Sequence, residues 1–201
     1  MITHHHLKRS HRFLWISIAI LVLSGTPAIA QEFSLTNGTD DLLVTGTSTL
    51  HDWEITVEGK SGTLALDTSG ELPALQRLNL QIVAESLKSG KGSMDKNTYN
   101  ALNTDNYKDI LFRMKEVRSL EPVQSPGKQY KAVLGGTLTI AGQSREVDLE
   151  CVLTIEPGRV LLKGSEPLRM TDFGIEPPKA LLGTIKTGDE IEIHFNTVWT
   201  R

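Results

Sequence analysis

Disulfides are excluded at once: Cys151 is the only cysteine in 201 residues, so the fold is held by its core alone. Aromatic residues make up only 5%, which leaves Leu, Ile and Val to supply most of the apolar surface. Histidine is scarce where it would count. Four of the six histidines fall within the first eleven residues, and the other two, His51 and His194, lack the short spacing of a zinc-binding pair. No metal site is expected. Long apolar runs are also few: the one at 13–23 is too short to span a bilayer comfortably, and no second run reaches that length.

What opens the chain is an export signal. The basic stretch His4-His5-His6-Leu7-Lys8-Arg9-Ser10-His11-Arg12 precedes the apolar run, and Ser24, Gly25, Pro27 and the small-x-small pattern Ala28-Ile29-Ala30 follow it. That is the order of a cleaved signal peptide. Cleavage is expected after Ala30, leaving residues 31–201 as one domain, ample for one core and short for two. No lipobox cysteine follows the site. The expected product is extracytoplasmic, most simply periplasmic, with no stable membrane insertion after cleavage.

Charge narrows the partners. The chain carries 21 basic and 24 acidic residues, and the leader removes Lys8, Arg9 and Arg12 with no acid. Eighteen bases then face 24 acids, so the net charge moves from −3 to −6. Such a balance argues against nucleic acid or an anionic membrane held by bulk electrostatics.

The mature chain is dominated by period-two alternation, the signature of strands with one apolar face. Leu78, Leu80, Ile82 and Ala84 alternate with polar neighbours, as do Leu134, Leu138 and Ile140, then Val147, Leu149, Cys151, Leu153 and Ile155, and finally Ile191, Ile193, Phe195, Thr197 and Trp199. Further strands are expected at 41–47, 52–58, 61–66, 110–118 and 159–166. Turn-forming clusters such as Ala141-Gly142-Gln143-Ser144 and Glu156-Pro157-Gly158-Arg159 separate them. Eight or nine strands at this spacing predict an all-β barrel or sandwich. The polar segment 93–109, with Met94, Tyr99, Leu102 and Tyr107, predicts one or two helical turns across a barrel mouth, and 119–129 predicts a loop. Alternation leaves filled and hollow interiors equally open, and it does not set the oligomeric state.

Five segments carry a resemblance. Val44-Thr45-Gly46-Thr47-Ser48-Thr49-Leu50-His51-Asp52-Trp53 looks like an opening motif, and the stretch from Tyr99 to Phe112, with Asn106-Tyr107-Lys108-Asp109-Ile110-Leu111-Phe112, like a helical segment running into a strand. Gly136-Thr137-Leu138-Thr139-Ile140-Ala141-Gly142-Gln143-Ser144-Arg145-Glu146-Val147 matches a hairpin of the form G-x-L-T-I-x-G-x-x-R-x-V. Met170-Thr171-Asp172-Phe173-Gly174-Ile175 and Thr187-Gly188-Asp189-Glu190-Ile191 supply the last landmarks. Together they resemble the YceI-like family of periplasmic, polyisoprenoid-binding-like proteins. The resemblance implies an antiparallel, lipocalin-like barrel of about eight strands whose lumen holds an isoprenoid quinone or polyprenyl lipid.

A site for such a tail needs apolar area, not a catalytic constellation. The lining expected from the apolar phases is Trp53, Ile55, Leu80, Ile82, Phe112, Met114, Leu138, Ile140, Leu149, Leu153, Phe173, Ile175, Ile193 and Phe195. His51, Asp52 and Asp172 are the candidates for contact with a head group at the rim. The apolar lipid is the only partner expected, with no cofactor, and its role would be sequestration or transport. A structural barrel with a filled core and no ligand is the alternative.

Enzyme readings fare poorly. Gly46-Thr47-Ser48-Thr49-Leu50 lacks the final glycine of a nucleophile elbow and the strand-to-helix turn an elbow needs. His194 sits on the polar phase of its strand. Cys151 sits on the apolar phase, where a buried, inert thiol is expected. No catalytic residue is assigned.

Overall fold

The computed structural model describes residues 30–35, 41–180 and 183–201. The leader expected at 1–30 falls outside them, but for Ala30. Among the described residues the strands are β1 (Gln31–Leu35), β2 (Asp41–Ser48), β3 (Trp53–Val57), β4 (Lys60–Asp67), β5 (Ala74–Val83), β6 (Leu87–Lys88), β7 (Asp109–Pro122), β8 (Lys128–Ile140), β9 (Gln143–Glu156), β10 (Arg159–Arg169), β11 (Lys179–Ala180) and β12 (Ile185–Thr200). One α-helix, α1 (Gly92–Leu102), and two 3-10 turns, Ala84–Ser86 and Met170–Phe173, join them.

Pairing reduces these strands to a simpler object. β1 and β2 lie end to end along one edge of β12, β4 and β3 lie end to end against them, and β5 and β6 lie against β4 and β3 in turn. Each couple behaves as one long interrupted strand. With β7, β8, β9, β10 and β12 they make eight antiparallel staves, each beside its neighbour in sequence, and the ring shuts where β12 meets β1 and β2. The fold is a closed up-and-down barrel, which leaves few unpaired edges.

Local sequence explains the turns and the kinks. Ala141 and Gly142 form a two-residue hairpin between Ile140 and Gln143, both with positive φ. Glycine carries that conformation without cost, and the tight mirror-image turn suits the strand twist. Along β7 the alternation stops after Met114, because register shifts follow Met114 and Val117. Each shift inserts one extra residue, so Met114, Val117 and Leu120 pair opposite Gly136, Leu134 and Ala132 on the inner face despite their spacing of three. The loop expected at 119–129 is correspondingly shorter, since β7 runs on to Pro122 and β8 begins at Lys128.

The two ends of the barrel differ. At the end holding the 67–74, 122–128 and 156–159 connections the interior is solid. Trp199 is 1% exposed there and packs in one cluster with the fully buried Leu64, Leu66, Leu134, Leu153 and Val160. Its indole N–H donates to the buried Thr197 hydroxyl at 3.0 Å, so the large ring carries no unpaired polar group into the core. Gly62 makes the space, for a β-carbon there would stand 2.7 Å from the Trp199 ring. Cys151 lies in the same filled interior, where burial pushes its thiol pKa up to about 12. It is an inert core residue.

The wall parts at one place. β9 and β10 pair from Glu156/Arg159 as far as Cys151/Gly164, beyond which β10 continues against β12 alone. Glu166 stands in that diverging stretch, paired with Ile193 of β12. Burial first, then the nearby charges of Glu150 and Asp148, push its carboxyl up to about 7. A carboxyl whose folded pKa lies above its ordinary value near 4.5 destabilises the fold when ionised. The penalty is therefore present above pH 7 and disappears as pH falls towards 4.5. Glu166→Gln is expected to raise the melting temperature by a few degrees at pH 8 and to lose that advantage near pH 4.5, as followed by thermal unfolding across pH.

Candidate apolar ligand site

At the opposite end, the connections do not close the barrel solidly. The β2–β3 hairpin, α1, residues of the stretch from Met170 to Lys179, and Ile185 surround a cavity of about 320 Å³. Its walls are aliphatic: Leu42 and Val44 from β2, Ile55 and Val57 from β3, Ile82 and Leu87 from β5 and β6, and Ile191 and Ile193 from β12. Below it lies the Trp199 plug. The cavity is partly enclosed and open to solvent.

α1 covers part of this mouth through a helical stripe. Met94, Asn97, Thr98, Ala101 and Leu102 all border the cavity, at the spacing that places residues on one helix face. The Thr98 hydroxyl is turned back onto the Met94 carbonyl at 3.1 Å, which satisfies it within the helix. Tyr99 anchors the helix to the barrel: its hydroxyl lies 2.9 Å from the Glu85 carbonyl and 3.0 Å from that of Leu87, and accepts from Lys88 Nζ at 2.6 Å. That bond holds the Lys88 ammonium pKa above its ordinary value. Asn103, in the left-handed region at φ 52°, ends the helix.

The second cover is the 3-10 turn Met170–Phe173, whose Met170, Phe173 and following Ile175 border the cavity. Asp189 of β12 holds it. Its carboxylate accepts from the Thr171 N–H at 2.9 Å and from the Thr171 hydroxyl at 2.6 Å, and these bonds lower its pKa. Such a carboxylate stabilises the turn at pH above its ordinary value of 3.8, and the contribution is lost as pH falls through the lowered one.

On the β2–β3 side, Trp53 is the largest wall residue. Its indole lies flat on Gly46, directly opposite across the ladder, and donates to the Thr47 carbonyl at 3.0 Å. A β-carbon on Gly46 would sit 2.3 Å from the ring. At the hairpin tip, the Ser48 hydroxyl donates to the His51 carbonyl at 2.7 Å and accepts from the Leu50 and His51 N–H groups. Ser48 therefore organises a turn, and His51 Nδ1 lies 2.7 Å from the Asp52 carbonyl instead of engaging that serine. Leu50, 66% exposed, borders the mouth.

Of the residues expected on the lumen, Trp53, Ile55, Ile82, Ile140, Phe173, Ile175 and Ile193 border the cavity. Leu80, Phe112, Met114, Leu138, Leu149, Leu153 and Phe195 belong to the packed interior instead. The physical reason is visible at Phe112 and Phe195, whose rings lie on Gly136 and Gly164 and fill the space beside them. Among the head-group candidates, His51 borders both the cavity and an adjoining polar groove, Asp52 borders the groove only, and Asp172 is exposed away from both. His194 is partly exposed, with Nε2 3.1 Å from the Thr45 hydroxyl, far in sequence from His51. No group of three or more ligating side chains occurs among the described residues.

Met94 borders the cavity from the segment expected across the mouth, whereas sequence reasoning did not single out Lys91, Arg169, Met170 or Lys179 as lining residues. The α1 stripe was readable as a 3.6-residue period, but Asn97 and Thr98 interrupt it with polar residues. Arg169 is the last residue of β10 and Lys179 the first of the two-residue β11, where too little strand remains for a period to point to a face.

Two outcomes are expected from this geometry. Gly46→Ala should drive the Trp53 ring from its seat, changing Trp53 emission and weakening uptake of an apolar fluorophore by about tenfold, with overpacking costing ~1–3 kcal/mol of stability. Asp189→Ala should speed hydrogen exchange at 170–174 at neutral pH, while at pH 2 the wild-type protein should show the same loosening.

Comparison with known proteins agrees with the architecture. A model of the YceI-like domain matches residues 33–199. The polyisoprenoid binding domain from Saccharophagus degradans superposes with a TM-score of 0.65 at 14% identity, covering 84% of this chain and 97% of that one. BcnA of Burkholderia cenocepacia superposes at 0.61 with 15% identity, over 79% and 95% of the two chains. The YCEI protein of Campylobacter jejuni gives 0.57 at 17% identity, over 72% and 82%. No curated protein matches the sequence significantly. With its family domain running from β1 to the end of β12, the chain belongs to the YceI-like family.

Proposed function

We propose that this protein binds an isoprenoid-type lipid inside its barrel, outside the cytoplasm, and sequesters or carries it without chemical change. The observation that carries this reading is the partly enclosed cavity walled mainly by aliphatic side chains. The family supports it, as does the neighbour described as a polyisoprenoid binding domain. The signal-like sequence at 1–30 supports export.

Volume sets how much of a tail is held. A cavity of about 320 Å³ is roughly twice the ~150 Å³ that accepts one benzene, so it accommodates about a dozen carbons, or two to three isoprene units. At ~0.8 kcal/mol per buried methylene-sized group, that burial gives ~8–10 kcal/mol gross. Association and ordering remove several of these, leaving about 5 kcal/mol, an affinity on the order of hundreds of micromolar for the enclosed part of the tail. The remainder of a longer tail would emerge through the mouth, beside Leu50 and α1.

Organic extraction of the purified protein, followed by mass spectrometry, is expected to release a prenyl lipid in near-stoichiometric amount. Intact mass should show cleavage after Ala30. Protein that yields no lipid and takes up no apolar fluorophore would establish instead a structural barrel without a ligand.

A further inference from the structure

At the rim, β3 outruns its neighbour. Its ladder with β6 holds only Thr56 against Lys88 and Val57 against Leu87, so Trp53, Glu54 and Ile55 continue towards the mouth with no strand on that side. The chain that could have extended β6 is drawn away instead. Gly90 turns it at φ 73°, and the Asp95 carboxylate of α1 accepts from the Ser89 N–H at 2.8 Å and from the Ser89 hydroxyl at 2.5 Å. What remains beside β3 is the polar groove noted above, of about 480 Å³, with Ser89, Gly90 and Lys91 on its far bank.

Main-chain groups face this groove. The Ser48 N–H donates to the His51 carbonyl at 3.1 Å, and bonded pairs recur at every second residue of an antiparallel ladder. Trp53 and Ile55 therefore turn their main-chain groups to β2, while Glu54 and Thr56 turn theirs the other way. Thr56 meets Lys88 there, in phase with the bond from the Glu58 N–H to the Ser86 carbonyl at 3.1 Å. Glu54 meets nothing: among the described residues its N–H and C=O have no main-chain partner. The ladder stops one rung short.

Side chains select the occupant. Asp52, Glu54 and Glu58 border the groove, and none has a basic group within salt-bridge distance among the described residues. Of the two lysines there, Lys88 is engaged by the Tyr99 hydroxyl at 2.6 Å and lies over its ring, and Lys91 stands on the far bank. A second copy pairing antiparallel through the same edge would set one acidic row against another, which is unfavourable. A strand with Lys or Arg at alternate positions meets opposite charge instead.

We propose that the open edge of β3 is a docking site for an extended, basic segment of a partner protein, which adds to the sheet beside Glu54 and supplies the rung that β6 leaves empty. Main-chain bonds at Glu54 fix the register, and the carboxylates supply the preference for basic side chains, as in other cases of strand addition. The contact is short, about three or four residues or ~10–13 Å of strand, so it is weak and sensitive to salt. His51, Trp53, Lys91 and Met94 border both the groove and the cavity, so the docked segment stands directly beside the opening.

The test uses the mature protein and three capped octapeptides: alternating lysine and valine, alternating glutamate and valine, and the lysine peptide N-methylated at its lysines. At low ionic strength the lysine peptide is expected to bind about tenfold more tightly than the glutamate peptide and to slow amide exchange at Glu54. The N-methylated peptide keeps its charge but cannot donate to Glu54, and should lose about tenfold in affinity. E54P removes an N–H that the native ladder does not use, so it should melt as the wild-type protein does and lose the lysine peptide; E54Q should keep the protection and lose part of the charge preference. Equal binding of the lysine and glutamate peptides, indifference to N-methylation, or binding without protection at Glu54 would overturn the strand edge as the site, the last by assigning the peptide to the general negative charge of the protein. Absence of binding by the lysine peptide would overturn it outright.

Discussion

Large rings inside a narrow barrel must be given room, and this molecule provides it with glycine. Trp53 lies on Gly46, Trp199 on Gly62, Phe112 on Gly136 and Phe195 on Gly164, each so close that a β-carbon would collide with the ring. Because the indole of Trp53 is laid against the wall, β2 and β3 border an open space and not a filled one. Because Trp199, Phe112 and Phe195 use the same arrangement lower in the barrel, the rings there fit among the buried core residues. The division of one lumen into a plugged half and a hollow half therefore depends on which inner positions lack a side chain. Eight strands are near the size at which side chains can either fill a barrel or leave space for one small ligand, and here both outcomes occur along a single axis.

The second determinant is how the hollow half is covered. Regular strands cannot close a barrel end, so other segments do, and each is held by a few polar contacts together with a short apolar face, Leu102 on α1 and Met170 and Phe173 on the 3-10 turn. Tyr99 ties α1 to the carbonyls of Glu85 and Leu87; Asp189 ties the Met170–Phe173 turn to β12. Segments secured by so few bonds open at lower cost than the strands beneath them.

Much of the architecture was legible in the sequence because burial on one face of a strand imposes alternation. β5, β8, β9 and β12 show it plainly, and each lies where alternation put it. The two register shifts of β7 hid their inward residues by changing the spacing from two to three. β1 and β6 are too short to declare a period. The lumen itself was half legible: alternation identifies which residues face inward but not the depth at which filling stops, so Phe112 and Leu153 read the same as Ile55 and Ile193. The cations of the mouth were invisible to this reasoning, since Lys91, Arg169 and Lys179 converge only after the chain has turned around the barrel.

The placement of the chain ends has a geometric consequence. Gln31 begins β1 beside Leu66, and its side chain meets that of Arg201, which follows the last residue of β12, so both ends of the barrel domain leave from the plugged base. Anything fused or tethered at either terminus is thereby directed away from the opening. An immobilised or surface-linked form of this protein would present its entrance outward to the surrounding solution, unobstructed by its own attachment.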